Sequence, residues 1–349
     1  MSYLMPKFRH PNLPKNGLGY TVADYDGSIS TLCAGCGHDS ISAAIQHACF
    51  LSSIPPHRIA KLSGIGCSSK MPTYFLGKSH GFNSVHGRMP SVATGASLAN
   101  RELTYIGVSG DGDTASIGMG QFIHLIRRNV NMTYIVANNG CYGLTKGQDS
   151  ATADLGSVSK YGVSNPFDGI DLASLALLQG ASFVGRSFSG DKEQLEPLIR
   201  AAMAHKGFAF IDVVSPCVTF NNHVGSSKSY SETREHLDAM PLDFVPMREE
   251  IRTQYDAGTT QGVTLHDGSV IHLHKASSDY QTDDRNAAMI SVQSAKDEGR
   301  ILTGLLFLDP NSQNLSQNLR LAPKPLNELG KDELCPDSRV LNSINEGLR

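Results

Sequence analysis

The feature that most constrains the fold is a pair of short apolar runs, each followed at once by a polar, glycine-containing turn. Leu103–Ser109 precedes Gly110-Asp-Gly-Asp113, and Met132–Ala137 precedes Asn138-Asn-Gly140. Between the two, Met119–Arg128 carries apolar residues at helical spacing. A strand, a helix and a second strand within about forty residues form a βαβ unit, which requires parallel pairing and a right-handed crossover.

The same alternation continues through residues 31–220. Helices are predicted at 40–51, 90–100, 172–178 and 193–205, and further strands at 58–65 and 208–214. We therefore predict an α/β fold for residues 31–220, with a doubly wound and mostly parallel sheet.

The two ends of the chain differ from this central part. Residues 1–30 contain prolines and glycines that break any pattern, and they predict an N-terminal arm. Residues 221–349 predict an irregular C-terminal extension for subunit contacts, with a hairpin turn at Asp267-Gly268. Its histidine-rich stretches, 223–236 and 266–274, fit scattered surface histidines better than a metal site.

Composition excludes two classes of protein. The 349 residues are 40% hydrophobic with a net charge of -3, which argues against a nucleic-acid-binding face. No apolar run is long enough to span a membrane, and residues 1–15 lack the apolar core of a signal peptide. A cytoplasmic location is expected.

The two turns predict a metal–phosphate site. Ligands of open α/β sheets bind at the carboxyl ends of the strands, so both turns fall at one edge. The first offers a carboxylate and glycines and the second offers amide oxygens, which suit Mg²⁺ or Ca²⁺ bridging a phosphate. Gly112 lets the backbone approach closely, and the following helix start favours an anion. Each turn alone is also an ordinary turn sequence.

Four of the seven cysteines stand in settings typical of metal ligands. Cys33 and Cys36 form a C-x-x-C loop, and Cys67 and Cys217 each follow the end of a predicted strand. Four thiolates suit a [4Fe–4S] cluster or structural zinc, and a lone C-x-x-C suits a redox pair. The cysteines alone leave these alternatives open.

Six motifs, in order over about residues 30 to 220, resemble those of the β subunits of 2-oxoacid:ferredoxin oxidoreductases. They are Cys33-Ala-Gly-Cys36-Gly-His38, Gly64-Ile-Gly-Cys67-Ser68, His86-Gly-Arg-Met-Pro90, Gly110-Asp-Gly-Asp113, Asn138-Asn-Gly-Cys-Tyr-Gly-Leu-Thr-Lys-Gly-Gln148 and Ser215-Pro-Cys217. The fold that this resemblance implies is the thiamine-diphosphate-binding type. Beyond residue 220 the resemblance is weak.

The resemblance implies three sets of site residues. The [4Fe–4S] ligands would be Cys33, Cys36, Cys67 and Cys217. The Mg²⁺ ligands would be Asp111, Asn139 and the backbone carbonyl of Cys141. The residues around thiamine diphosphate would be Ile65, Gly66, Cys67, Ser68, His86, Gly112, Asp113, Gly143, Leu144 and Thr145. His38 would lie near the site or make only a local hydrogen bond.

The resemblance also implies an activity. Members catalyse reversible, coenzyme A-dependent oxidative decarboxylation of a 2-oxoacid and pass electrons through the cluster to ferredoxin. An α subunit supplies the acid that activates the cofactor, so this chain is expected to be inactive alone, in an αβ or α₂β₂ assembly. Lys70 would pair with the distal carboxylate of 2-oxoglutarate, Arg88 is another candidate for binding a carboxylate or a phosphate, and Leu144 would line the pocket. Pyruvate is the alternative substrate. The alternative for Lys70 is a surface lysine or one that screens the charge of the cluster.

Two other classes of protein remain as alternatives. A thiamine-diphosphate decarboxylase or synthase without redox chemistry needs no set of four cysteines. A zinc-stabilised α/β binding module needs neither iron nor a diphosphate.

Overall fold

The computed structural model describes residues 12–158, 162–218, 249–266, 268–322, 324, 328–335 and 337–348. Its strands are β1 (Ile59–Ser63), β2 (His80–Asn83), β3 (Thr104–Gly110), β4 (Met132–Asn138), β5 (Cys141–Tyr142), β6 (Gln148–Asp149), β7 (Phe183–Phe188), β8 (Phe208–Val214), β9 (Thr260–Thr264), β10 (Val270–Lys275) and β11 (Ile301–Leu308). Its α-helices are α1 (His38–Leu51), α2 (Met89–Ala99), α3 (Met119–Arg128), α4 (Leu172–Leu178), α5 (Lys192–Ala204), α6 (Arg285–Asp297), α7 (Leu315–Asn318), α8 (Lys331–Leu334) and α9 (Ser338–Gly347).

Nine strands form one sheet in the order β2-β1-β3-β4-β8-β7-β11-β10-β9, and β5 pairs with β6 separately. The six strands from β2 to β7 in this order are parallel. One apolar cluster lies between the sheet and α2, α3, α4 and α6, and a second lies under α1 and α5. Helices therefore cover both faces, which confirms the predicted α/β, doubly wound and mostly parallel fold.

The apolar runs of the sequence become strands because both of their faces are buried. In β4 every residue from Met132 to Ala137 is buried, and β8 is buried from Phe208 to Val213. The ring of Phe122, on α3, lies 5.5 Å from that of Tyr134 and 5.0 Å from that of Phe210. This aromatic contact fixes α3 against the centre of the sheet.

The described part of the C-terminal region is more regular than predicted. Strand β11 pairs antiparallel with β7, β10 pairs parallel with β11, and β9 completes an antiparallel hairpin with β10. The hairpin is confirmed, although Asp267 itself lies outside the described residues. The prediction of an irregular extension is wrong for residues 260–308. The signal was weak because β9 and β10 each bury only one residue, Val263 and Leu273.

Residues 219–248 lie outside the described residues, and so does the histidine-rich stretch at 223–236. The predicted role of the C-terminal region in subunit contacts remains a prediction. None of the helices in the described ranges is long and apolar enough to cross a membrane.

The described part of the predicted N-terminal arm packs on the sheet domain. Tyr25 is fully buried in the apolar cluster under α1. Its hydroxyl accepts a hydrogen bond from Asn16 Nδ2 at 2.8 Å, and its ring lies 6.0 Å from that of Phe50. Tyr25 therefore attaches this segment to the core. Residues 1–11 lie outside the described residues.

Candidate cofactor and cluster site

The two turns predicted to form a metal site lie side by side. Strands β3 and β4 are parallel neighbours, with Gly110 opposite Ala137, so the turns begin at one edge of the sheet. The backbone N–H of Asn139 donates to Asp111 Oδ1 at 3.3 Å. Asp111 and Asn139 are both buried, at 1% and 7% exposure. The structure therefore brings together a carboxylate and an amide, as the sequence predicted.

The carboxylate of Asp111 has two further partners that the sequence did not indicate. Its Oδ2 accepts hydrogen bonds from Ser150 Oγ and, at 2.7 Å, from Thr152 Oγ1. Burial raises the pKa of Asp111, and the hydrogen bonds from Ser150, Thr152 and Asn139 oppose that rise. A buried carboxylate under this desolvation penalty is favourably placed for a cation, so Asp111 fits a Mg²⁺ ligand.

Asn139 shapes the turn that follows it. Its Oδ1 accepts from the backbone N–H of Cys141 at 3.1 Å, an Asx turn that passes through Gly140 at φ +69°. The loop then returns to the site, because Ser150 N donates to Gly140 O at 3.2 Å. Asp111, Asn139 and Cys141 are thus linked in series, which fits the predicted set of Mg²⁺ ligands.

Glycines at this edge are required by close packing or by backbone conformation. A Cβ on Gly112 would lie 2.5 Å from the ring of Tyr142, whose hydroxyl donates to Gly112 O at 3.1 Å. Gly66 has φ +133° and open space beside it. The close approach at Gly112 is therefore made by an aromatic ring, whereas the open space at Gly66 fits a cofactor loop.

Asp113 joins three loops of the site. Its carboxylate accepts from Ser109 Oγ at 2.6 Å, from Gly87 N at 2.7 Å and from Ile65 N at 3.4 Å, and it pairs with His86 Nδ1. The structure therefore brings together Ile65, His86 and Asp113, three residues predicted to surround the cofactor. Because its oxygens already meet protein donors, Asp113 acts here by positioning these loops.

The remaining predicted cofactor residues lie on two neighbouring loops. Ser68 is buried in the 3₁₀ turn Ser68–Thr73, directly after Cys67. Gly143 is buried between β5 and β6, while Leu144 and Thr145 are exposed in the same loop. Their contacts with a cofactor remain predictions.

The four predicted cluster cysteines interact with one another. Burial raises the pKa of Cys36 to about 12, and the neighbouring Cys33 and Cys217 add to the rise. Burial likewise raises the pKa of Cys67 to about 11, with contributions from Cys217 and Cys33. All seven cysteines are free thiols. The structure thus gathers at one edge four thiols that are far apart in the sequence, and metal ions would offset the cost of ionising them.

No three His, Cys, Asp or Glu side chains within the described ranges surround a point suited to a single metal ion. The four thiolates of a [4Fe–4S] cluster bind four different irons, so they do not share such a point.

A fifth thiol, that of Cys141, lies beside this group. In the β4–β8 pairing Asn138 is opposite Val214, so Cys141 and Cys217 each stand three residues past the paired strand ends. A hydrogen bond with Cys217 is the largest cause of a raised pKa of the Cys141 thiol, followed by burial. Sequence spacing could not show this neighbour, because it depends on β4 and β8 being adjacent.

His38 connects the two cysteine loops. Its Nδ1 lies 3.4 Å from Cys36 Sγ, and its Nε2 lies 3.0 Å from Ser68 Oγ. Burial lowers the pKa of His38 to about 4, so the ring is neutral at physiological pH. The local hydrogen bond considered from the sequence is present, together with a second bond to the loop after β1.

The predicted substrate residues lie at the same edge of the sheet. Lys70 is exposed in the turn after Cys67, and its charge acts to lower the pKa of that thiol. Arg88 is exposed at the N-cap of α2, and Leu144 is 45% exposed. Exposure leaves all three accessible to a ligand or a partner, and their roles remain predictions.

The C-terminal hairpin reaches the cysteine loop. His266 Nε2 lies 3.3 Å from the carbonyl oxygen of Gly35, between Cys33 and Cys36. The turn after β9 therefore contacts the loop that carries two of the predicted cluster ligands.

Comparison with known proteins gives the same family as the motifs. Residues 64–213 match a known domain family, the C-terminal thiamine pyrophosphate-binding domain of thiamine pyrophosphate enzymes. The chain is 43% identical to 2-oxoglutarate oxidoreductase subunit KorB of Mycobacterium tuberculosis, over 54% of this chain and 51% of that protein. It is 40% identical to the 2-oxoacid:ferredoxin oxidoreductase subunit beta of Saccharolobus solfataricus, over 60% of this chain and 68% of that protein.

A solved structure is similar over most of the chain. It is a 2-oxoglutarate:ferredoxin oxidoreductase from Magnetococcus marinus with 2-oxoglutarate, coenzyme A and succinyl-CoA bound. The TM-score is 0.68 at 30% identity, over 86% of this chain and 89% of that chain. The present chain spans about half the length of the mycobacterial relative and about two thirds of the archaeal one. The chain belongs to the family of 2-oxoacid:ferredoxin oxidoreductase β subunits.

Proposed function

We propose that this chain, with an α subunit, oxidatively decarboxylates 2-oxoglutarate in the presence of coenzyme A and passes the electrons to ferredoxin. The observation that carries the proposal is that the Asp111–Asn139 pair and the thiols of Cys33, Cys36, Cys67 and Cys217 share one edge of the sheet. A diphosphate site beside a redox centre allows electrons released at the first to reach the second.

Asp111, Asn139 and the carbonyl of Cys141 would hold Mg²⁺, and the metal would hold the diphosphate. When bound, thiamine diphosphate supplies a ring that accepts the electron pair released by loss of CO₂. The protein's part is to bind and orient. The hydroxyls of Ser150 and Thr152 hold the Asp111 carboxylate, and Asp113 holds the loops that carry Ile65 and His86.

Cys33, Cys36, Cys67 and Cys217 would hold the [4Fe–4S] cluster. The neutral ring of His38, bonded to Ser68 and lying beside Cys36, would fix two of the ligand loops relative to each other. Zinc bound by these four thiols would instead indicate a zinc-stabilised binding module, so the zinc content of the purified protein distinguishes the two functions.

The choice of 2-oxoglutarate over pyruvate rests on charge and on the relatives. The mycobacterial relative is named for 2-oxoglutarate, and the Magnetococcus structure contains it. Lys70 and Arg88, both exposed at the site edge, would attract its distal carboxylate.

Lys70→Met is expected to lower kcat/KM for 2-oxoglutarate about tenfold, the effect of losing one hydrogen bond to a charged group. Pyruvate lacks a distal carboxylate, so its kcat/KM should stay unchanged. Steady-state kinetics of the assembled enzyme with both acids would measure this. Lys78→Met, at an exposed lysine paired with Asp24, is the matched control. An equal loss with both acids would remove Lys70 from substrate selection.

Cys141→Ala is expected to keep both cofactors, because the proposed ligand is the backbone carbonyl and not the thiol. Cys217→Ala is the matched comparison, because its thiol lies beside that of Cys141 but is assigned to the cluster. Iron and thiamine diphosphate contents of the two variants distinguish the roles. If Cys141→Ala lost its iron while Cys217→Ala kept it, the thiol of Cys141 and not that of Cys217 would be the cluster ligand.

The experiment for the whole proposal is anaerobic purification of the chain with its co-expressed α subunit. Iron, sulfide, zinc and thiamine diphosphate are measured, followed by EPR after dithionite reduction and a panel of 2-oxoacids with coenzyme A. We expect about four iron and four sulfide per chain, one thiamine diphosphate, and the highest activity with 2-oxoglutarate. Zinc without thiamine diphosphate would indicate a binding module. Thiamine diphosphate without iron would indicate a non-redox enzyme.

A further inference from the structure

We propose that Asp212, Asn138 and Thr152 form a hydrogen-bonded chain that positions Asp111 for the metal ion, with Arg186 as its anchor. The inference rests on the proposed function, since it takes Asp111 as a Mg²⁺ ligand. It assigns a role to Thr152, Arg186 and Asp212, which no motif included, and to Asn138, which stands in a motif but had no predicted role.

The anchor is an ion-pair group that joins two neighbouring strands and the N-cap of α4. Arg186 on β7 stands opposite Asp212 on β8. Its Nε donates to Asp212 Oδ2 at 3.0 Å, and its Nη2 donates to Asp171 Oδ1 at 2.5 Å. Arg186 and Asp212 are 5% and 2% exposed. A guanidinium held by two carboxylates in the core has little freedom to move, so Asp212 has a fixed position.

Asp212 in turn orients the amide of Asn138. Asn138 Nδ2 donates to Asp212 Oδ1 at 3.1 Å. An ionised carboxylate accepts hydrogen bonds but cannot donate them, so the NH₂ group of Asn138 must face it. The amide oxygen therefore points the other way, where Thr152 Oγ1 lies 3.1 Å from it.

Thr152 links this amide to the metal site. Its Oγ1 lies 2.7 Å from Asp111 Oδ2 and 3.1 Å from Asn138 Oδ1. A hydroxyl has one hydrogen, so it donates to one oxygen at a time. Ser150 Oγ, which itself donates to Asp111 Oδ2, is a third neighbour at 3.0 Å. Without metal, the carboxylate is the stronger acceptor. When a cation binds Asp111, the amide oxygen of Asn138 offers the hydrogen a second acceptor, so the hydroxyl is satisfied in both states.

The consequence is that metal binding does not leave the partly buried hydroxyl of Thr152 without a hydrogen-bond partner. Partners of this kind, which bond a metal ligand without touching the metal, typically change metal affinity 10–100-fold when they are removed. Thr152, Asn138 and Asp212 are positioning residues in this sense.

The test uses the assembled enzyme, with Mn²⁺ as the probe in place of Mg²⁺. Free Mn²⁺ is measured by EPR at saturating thiamine diphosphate, and the melting temperature is recorded alongside. Thr152→Val should weaken Mn²⁺ binding about tenfold, while Thr152→Ser, which keeps the hydroxyl, should restore most of the affinity. Thr303→Val is the matched control, since Thr303 is a fully buried threonine bonded to Tyr255 in another part of the sheet. It should lower the melting temperature without changing Mn²⁺ affinity.

A second variant tests the link behind Thr152. Asp212→Asn would leave Arg186 short of a partner and risks misfolding, so Asn138→Ala is used. If the chain acts as a unit, Asn138→Ala weakens Mn²⁺ binding, and adding Thr152→Val causes little further loss. If the losses in Mn²⁺ affinity add up in the double variant, Asn138 and Thr152 act independently and the proposed chain is wrong.

The outcomes separate this inference from the proposed function. Wild-type Mn²⁺ affinity in Thr152→Val, or equal losses in Thr152→Val and Thr152→Ser, would overturn the role of the Thr152 hydroxyl while leaving the cofactor site in place. Failure of the wild-type enzyme to bind Mn²⁺ with thiamine diphosphate would instead overturn the metal site itself.

Discussion

Asp111→Asn is expected to abolish metal-dependent binding of thiamine diphosphate and, with it, 2-oxoacid oxidation. The substitution keeps the size of the side chain but removes its charge. Because Asp111 is only 1% exposed, its charge is poorly screened by water and is the main electrostatic attraction for Mg²⁺. The loss in metal affinity should exceed the roughly 100-fold upper range seen when only an indirect partner of a ligand is removed. Equilibrium dialysis of thiamine diphosphate over a Mg²⁺ series measures it.

The fold should survive this change. Burial raises the pKa of Asp111, which means that the structure disfavours its charged form. A neutral amide removes that desolvation cost. Its oxygen can accept from the backbone N–H of Asn139, while its NH₂ group donates to the hydroxyl of Ser150 or Thr152. The metal-free variant should therefore melt close to the metal-free wild type, and only the stabilisation by bound cofactor should be lost.

Asp113→Asn provides the comparison within the same turn. Its carboxylate contacts Ser109, Gly87, Ile65 and His86, so its replacement should lower the melting temperature. Mg²⁺ should still be needed for the binding that remains. Wild-type Mg²⁺ dependence in Asp111→Asn would remove Asp111 from the ligand set.

The sequence predicted the contact between the two turns because it needed only local information. Leu103–Ser109 and Met132–Ala137 are apolar enough to be buried on both faces, and a short helical crossover makes such strands parallel neighbours. Once they are paired, Asp111 and Asn139 must meet. The end of α3 at Arg128 was also predictable, because the apolar periodicity stops there and Asn129 adopts a left-handed conformation at φ +49°.

Contacts that depend on strand order or loop path were beyond the sequence. Cys141 meets Cys217 only because β8 lies beside β4, and local patterns do not give that order. Ser150 and Thr152 reach Asp111 only because the β5–β6 ribbon turns the chain back. Strand β7 was missed because it contains Arg186 and Ser187, whose polarity hides a fully buried strand. Its arginine is buried because two carboxylates offset the cost of its charge.

Cys67→Ala is expected to remove the cluster and with it electron transfer to ferredoxin. Burial and the neighbouring thiols raise the pKa of Cys67 to about 11, so without metal this thiol is protonated. Iron stabilises the thiolate, and a cluster that loses one of its four ligands is left with an iron that no cysteine holds. Iron should fall from about four per chain to a small fraction, and the EPR signal of the reduced enzyme should disappear.

Thiamine diphosphate should still bind to this variant. The proposed Mg²⁺ ligands are joined by hydrogen bonds from Asn139 N to Asp111 and from Cys141 N to Asn139. Cys67 is predicted beside the cofactor, but its thiol is assigned to the cluster and not to the metal that holds the diphosphate. Cofactor binding and electron transfer are thereby separated in one protein. Cys335→Ala, at an exposed cysteine in the C-terminal part of the chain, is the matched control and should keep its iron. Full iron content and an unchanged EPR signal in Cys67→Ala would mean that another thiol holds that iron. Cys141, whose thiol forms a hydrogen bond with that of Cys217, is the thiol that the geometry would then assign. The Cys67→Ala, Cys141→Ala double variant would decide it.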